Sequence, residues 1–137
     1  MSIDSLNHYS IRTTNLDETR AFYTEVIGLD VGPRPNFPFP GVWLYKGESA
    51  VVHVVGIDAH DNTGLLAYLG DGKPLEDVHG GGSIDHVAFT CNDFEGMRAR
   101  FKAAGAVTRE REVPNLKLQQ IFIEDPNGIT LELNFPG

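Results

Sequence analysis

The chain is short of several things, and each shortage removes a class of function. It has one cysteine, Cys91, in 137 residues, so no intrachain disulfide can form and a reducing compartment is the natural setting. A lone cysteine of this kind is more often a small buried hydrophobe than a nucleophile. Basic residues are scarce as well: 11 Lys and Arg against 19 Asp and Glu give a formal charge of −8. Nucleic acids and anionic membranes call for a basic face, so neither is an expected partner, and the acidic balance reads as a solvated surface. No apolar run approaches the roughly 18 residues needed to cross a bilayer. Met1-Ser2-Ile3-Asp4 has neither the basic nor the apolar part of a signal peptide. These shortages predict a cytoplasmic protein.

What the sequence does have is a repeat. Leu6-Asn7-His8-Tyr9-Ser10-Ile11-Arg12 returns as Ile84-Asp85-His86-Val87-Ala88-Phe89-Thr90. Both are short alternating runs with histidine in third place. His53 follows His8 by 45 residues, and Glu132 follows His86 by 46. One unit, used twice, offers two potential metal ligands at nearly equal spacing.

The periodicities fill in each unit. Residues 5–12 alternate as a strand, with Leu6, His8 and Ser10 on one face. Asn15 to Glu18 has the form of a capping box, followed by Leu16, Thr19, Phe22, Tyr23 and Val26 at helical spacing and Gly28 as a stop. Leu29-Asp30-Val31, Val42 to Tyr45 and Ala50 to Val55 read as strands, with Lys46 to Ser49 as a hairpin turn. Between them lie Pro33, Pro35, Pro38 and Pro40, which forbid a helix or a central strand there. That stiff loop carries Phe37 and Phe39. The second unit predicts a helix from Phe94 to Ala104 capped by Asp93 and closed by Gly105. Extended segments follow at 106–113 and 118–123, then a turn at Asp125-Pro126-Asn127-Gly128. In the last strand Ile129, Leu131, Leu133 and Phe135 share one face, while Thr130, Glu132 and Asn134 share the other.

The expected fold class is α+β: two paired βαβββ modules forming a curved mixed sheet around a metal cup. Module one covers about residues 5–57 and module two about 84–135 of a single domain, 1–137. Residues 58–83, rich in glycine and polar residues, read as a mobile linker, with Leu65 to Leu69 a short strand or helical turn docked on the surface.

Three imidazoles and one carboxylate, from His8, His53, His86 and Glu132, suit one borderline divalent transition metal: Zn, Ni, Co, Fe or Mn. Calcium would want an all-oxygen site. Such a cation would take adjacent oxygens of a substrate and stabilise charge building on an enolate or alkoxide. Glu132 could stay bound or detach to move a proton. His60 and His79 sit in the polar linker and read as solvent-facing. Phe37, Phe39 and Trp43 would suit an organic substrate with an apolar body.

With these residues in place, the sequence resembles the vicinal oxygen chelate superfamily, which includes glyoxalase I, epimerases, extradiol dioxygenases, and fosfomycin- and bleomycin-resistance proteins. The resemblance covers about residues 5–135. It rests on Leu6-Asn7-His8, on Ala21-Phe22-Tyr23 through Ile27-Gly28-Leu29, on Ile84 to Phe89, and on Glu124-Asp125-Pro126-Asn127-Gly128 with Leu131-Glu132-Leu133. It implies paired βαβββ modules, His8 and His86 as first-strand ligands and Glu132 as the last-strand carboxylate. His53 stands where glyoxalase I is similar but has glutamate. That departure leaves Glu132 the principal base, with His53 a ligand or a second proton carrier. A glyoxalase-I-like subgroup with an Arg-Pro…Phe…Phe…Gly-x-Trp-Leu loop is also similar, which adds Arg34 to Phe37, Phe39 and Trp43 as substrate-binding candidates. The implied activity is a lyase or isomerase. The alternatives are an iron-dependent extradiol-type dioxygenase, if His53 does not bind, and a non-catalytic drug-binding protein. A homodimer is expected, because open sheet edges want partners.

Overall fold

Each copy of the repeat folds as strand, helix, strand, strand, strand, the order that its periodicities predict. The computed structural model describes residues 4–58, 60–69 and 79–137, and the chain divides into two compact units, Met1–Val78 and His79–Gly137. In the first unit β1 (Tyr9–Thr13) leads into α1 (Leu16–Ala21), then β2 (Asp30–Gly32), β3 (Gly41–Lys46), β4 (Ser49–Gly56) and α2 (Thr63–Leu69). In the second, β5 (Val87–Thr90) leads into α3 (Phe94–Ala103), then β6 (Thr108–Val113), β7 (Leu118–Glu124) and β8 (Thr130–Pro136). The two mixed sheets share one topology, β1-β4-β3-β2 and β5-β8-β7-β6. In each, the first pair is parallel and the others are antiparallel. A parallel pair needs a crossover, and here the helix with the two middle strands supplies it.

Alternation sorts each sheet into two faces. In the first unit Ile11, Leu44, Val52 and Val54 are buried together with Tyr23 and Thr19 of the helical segment. Val51, His53 and Val55 are only half-buried, so they face away from that core. In the second unit Leu131, Leu133 and Phe135 are buried, as are Ile121 and Ile123 of β7 and Phe101 of α3. Ile121 lies opposite Leu133 and Ile123 opposite Leu131, so the apolar residues of both strands meet on one face. Each such side chain contributes about 1.5–3 kcal/mol when buried. Glu132 and Asn134, between them in sequence, turn to the opposite face.

Local chemistry differs from the sequence expectation at two points of the first helix. The Asn15 side chain makes no cap bond; the Asn15 amide donates instead to Thr13 Oγ1 at 2.8 Å. After Ala21 the helix widens into a π segment, Phe22–Ile27. Gly28 ends it in the left-handed region, φ 97°, with the Gly28 and Leu29 amides both donating to the Tyr23 carbonyl. The expected cap of α3 does form: the Asp93 carboxylate accepts from the Gly96 amide at 3.1 Å. The expected turn at 125–128 forms too, with Asp125 Oδ1 accepting from the Asn127 and Ile129 amides.

The segment read as a linker contains a helix. α2 lies against the proline-rich loop, where Gly64 comes so close to the Pro38 carbonyl that a Cβ there would collide with it, and Leu65 is buried. Residue 59 and residues 70–78 of the expected linker lie outside the described residues.

Candidate functional site

In the first unit the two histidines of the repeat meet face to face. Trp43 on β3 is directly opposite His53 on β4, and cross-strand neighbours share a face. Their rings stack with centroids 3.9 Å apart and planes 9° apart. His8, just before β1, stacks on the other face of His53 at 3.7 Å and 16°. His53 is thus the middle ring of three. Burial, and then the neighbouring His8, push its pKa below the usual imidazole value, with a backbone hydrogen bond at Ala50 opposing them. His8 Nδ1–H donates to Asn7 Oδ1 at 2.7 Å, which leaves Nε2 available.

In the second unit the arrangement repeats with a charged buttress. His86 Nδ1–H donates to Asp85 Oδ2 at 2.8 Å, again leaving Nε2, which lies 3.7 Å from Glu132 Oε2. The His86 side chain is 38% exposed and the Glu132 side chain 13%, so the carboxylate sits deeper than its partner. The Asp85 hydrogen bond first, then the charges of Glu132 and Asp85, raise the His86 pKa against desolvation and Arg111. The Glu132 carboxylate also accepts from Asn134 Nδ2 at 3.1 Å on Oε2 and faces Arg111 Nη2 at 3.9 Å on Oε1.

The aromatic candidates form one cluster beside the three-ring stack. Phe37 and Phe39 are parallel with centroids 5.1 Å apart, Tyr68 of α2 is tilted against both, and Phe37 is 6.3 Å from Trp43. The Arg34 guanidinium lies over both phenyl rings, at 4.9 and 5.1 Å, and donates to the Phe39 carbonyl at 3.0 Å. Burial lowers its pKa. Arg34 therefore braces its own loop, which is also pinned where Tyr45 Oη donates to the Pro33 carbonyl and the Gly56 amide to the Pro40 carbonyl. A cavity of about 480 Å³ opens on this face of the sheet, lined by Trp43, Tyr45, Val51, His53, Asn7 and Glu48 among others.

The donor chemistry fits a borderline divalent cation in part. His8 and His86 each keep Nε2 available, with Nδ1 held by a neighbouring oxygen, the form in which imidazole commonly ligates. Glu132 adds a carboxylate oxygen beside His86. His53 does not fit alongside His8 as arranged: two parallel rings 3.7 Å apart direct their in-plane lone pairs side by side, so one cation cannot lie in both planes. Within either unit, the described residues gather no group of three His, Cys, Asp or Glu donors; the donors come in pairs. Of the polar-linker histidines, His60 sits in an exposed loop. His79 packs over Gly128 of the 125–128 turn.

Sequence reasoning missed Glu48, Tyr68, Arg111 and Gln120. The signal for Gln120 was its position, two residues from Phe122 on a strand where Ile121 and Ile123 mark the opposite, apolar face. The strand register that sets it opposite Asn134 has no local signal in the sequence.

Residues 5–133 match the model of the family described as the Glyoxalase/Bleomycin resistance protein/Dioxygenase superfamily. Glyoxylase I 4 of Arabidopsis thaliana is 26% identical over 136 residues, covering 97% of this chain and 71% of that protein. Lactoylglutathione lyase of Schizosaccharomyces pombe is 29% identical over 147 residues, covering 97% of this chain and 48% of that protein. The chain thus spans about half the length of that relative. A glyoxalase family protein from Bacillus anthracis has the same fold, with a TM-score of 0.69 at 19% identity, covering 100% of this chain and 98% of that one.

Proposed function

Because the chain belongs to the glyoxalase/bleomycin resistance protein/dioxygenase superfamily, we propose that it is a metal-dependent lyase or isomerase of a small organic substrate with adjacent oxygens. His8, His86 and Glu132 would hold the cation: zinc, nickel, cobalt, iron or manganese. When bound, such a cation polarises the substrate oxygens and stabilises the negative charge that builds as a proton leaves the neighbouring carbon. The rest falls to the chain's own side chains. His53, kept neutral by burial against Trp43 and His8, can accept that proton at neutral pH. Glu132 is the second group able to carry it. Asn7 and Asp85 fix the ring orientations of His8 and His86. Phe37, Phe39 and Trp43 offer flat apolar surface to the body of the substrate, and Arg34 stiffens the loop that presents it.

The observation that carries this reading is the matched pair Asn7–His8 and Asp85–His86. The same Nδ1 buttress in both copies of a duplicated unit leaves the same ring nitrogen available in each. Relatives named as a glyoxylase and a lactoylglutathione lyase support the lyase reading. The test is elemental analysis of purified protein together with solvent deuterium exchange into α-hydroxy ketone substrates. Stoichiometric nickel, zinc or cobalt with exchange supports the proposal; protein that takes up no divalent metal overturns it.

The three-ring stack favours a second reading. With His53 outside the ligand set, two imidazoles and one carboxylate remain, the donor set of non-haem iron(II) oxygenases. Oxygen consumption by the iron(II)-loaded protein with an aromatic diol would select this reading over the first. We further propose that the protein acts as a homodimer.

A further inference from the structure

We infer that Arg111, Gln120 and Asn134 form a one-way hydrogen-bond relay that positions the Glu132 carboxylate. The inference deepens the reading of Glu132 as ligand and proton carrier, and it rests on that reading. Arg111 Nε donates to Gln120 Oε1 at 2.8 Å. Gln120 Nε2 donates to Asn134 Oδ1 at 2.8 Å, and Asn134 Nδ2 donates to Glu132 Oε2 at 3.1 Å. A guanidinium can only donate, and a carboxylate accepts. With a donor at the head and an acceptor at the tail, each amide between them has one orientation. Flipping either one would set an NH2 against a donor and an oxygen against an oxygen.

The strands hold the relay in line. Arg111 is directly opposite Gln120, and Gln120 directly opposite Asn134. Asn134 and Glu132 are two apart on β8, on one face. Gln120 is 5% exposed, so water does not readily replace a lost partner and the bonds weigh more than surface ones. The relay ends on Oε2, the oxygen that faces His86 Nε2, while Oε1 faces Arg111. It therefore fixes the plane of the carboxylate, so that the oxygen accepting from Asn134 is also the one presented to His86. None of the three residues needs to touch substrate; they are positioning residues.

Gln120→Glu tests this at a distance, because it keeps the acceptor for Arg111 and removes the donor to Asn134. Gln119→Glu is the control: it makes the same charge change on the next residue of β7, which is exposed on the other face. Asn134→Asp, which removes the last donor, serves if Gln120→Glu does not fold. Two readouts apply to the Gln120 and Gln119 variants and the second alone to Asn134→Asp, with the fold checked by circular dichroism. The first is the side-chain amide resonances of Asn134 in metal-free protein. These should move toward free-amide positions in Gln120→Glu and stay put in Gln119→Glu. The second is zinc affinity by calorimetry, expected to fall about 10- to 100-fold in Gln120→Glu, as for other residues that orient ligands. An added negative charge alone would attract zinc, so weakening has the opposite sign to a simple charge effect. A folded Gln120→Glu that binds zinc like Gln119→Glu, or that leaves the Asn134 resonances in place, overturns the relay. Wild-type protein that binds no zinc or other divalent metal overturns the metal reading instead, and the resonances then decide the relay alone.

Discussion

At the scale of single residues, the donors differ in depth and in what steadies them, and this decides what their loss does. His86 is exposed and lies outside the apolar core of its unit, so His86→Ala should remove the metal and keep the fold. Metal content and circular dichroism check this together; stoichiometric metal in the variant would contradict the assignment. Cys91 makes a second case. Burial raises its thiol pKa, opposed by the Asn134 backbone. The thiolate is the reactive form, so alkylation by iodoacetamide at pH 7.5 should run well below the rate of free glutathione and climb with pH. A rate equal to that of glutathione would show an activated thiol. The pairing of His8 with His53 and of His86 with Glu132 was legible in the sequence because duplication put them at matching places in a period-2 pattern. The roles of Asn7 and Asp85 were hidden there, although both lie inside the repeated motif. Alternation assigns a face but not which neighbour a ring nitrogen meets.

Elements tell a different story. Strands and helices followed the periodicities, and the turn at 125–128 followed its Asp-Pro-Asn-Gly chemistry. α2 was legible only as a short strand or a helical turn over 65–69, because a seven-residue helix is too short to show an apolar stripe and sits among glycines. It exists through tertiary contact, with Leu65 buried and Tyr68 against Phe37 and Phe39. Gly64 makes that contact possible by letting the helix backbone approach the Pro38 carbonyl. Gly64→Ala should therefore push α2 away from the loop and destabilise the protein by about 1–3 kcal/mol, in the range for overpacking a closed contact. A thermal melt measures it. An unchanged midpoint would mean that the helix contributes nothing to holding the loop. The π segment after Ala21 was likewise illegible, since Phe22, Tyr23 and Val26 read in sequence as an ordinary helical stripe, whereas the Gly28 amide reaches back five residues to the Tyr23 carbonyl.

For the molecule as a whole, the histidines make stability depend on pH in two opposed ways. The His53 pKa is lowered on folding, mainly by burial. The unfolded chain then takes up the proton more readily, so this contribution is complete above about pH 6.5 and is lost as pH falls through the lowered folded value. The His86 pKa is raised, chiefly by Asp85. Its contribution is complete below about pH 6.5 and is lost as pH rises through the raised folded value, and solvent screening at its exposed position weakens it. The metal-free protein should lose thermal stability on acidification below about pH 6.5, and His53→Gln should flatten that limb. An acid limb of unchanged steepness in the variant would remove His53 from the account. Duplication was the feature of the whole chain most visible in its sequence, because two units of one topology need two copies of one pattern.

The single tryptophan of the chain lies flat against His53, which gives the protein a built-in lamp at one known address. Its emission needs no dye and has no competing indole to subtract. Titrating the neighbouring ring, or filling the space beside it, should therefore register as a change in brightness or colour that can be followed in a cuvette before any substrate has been named.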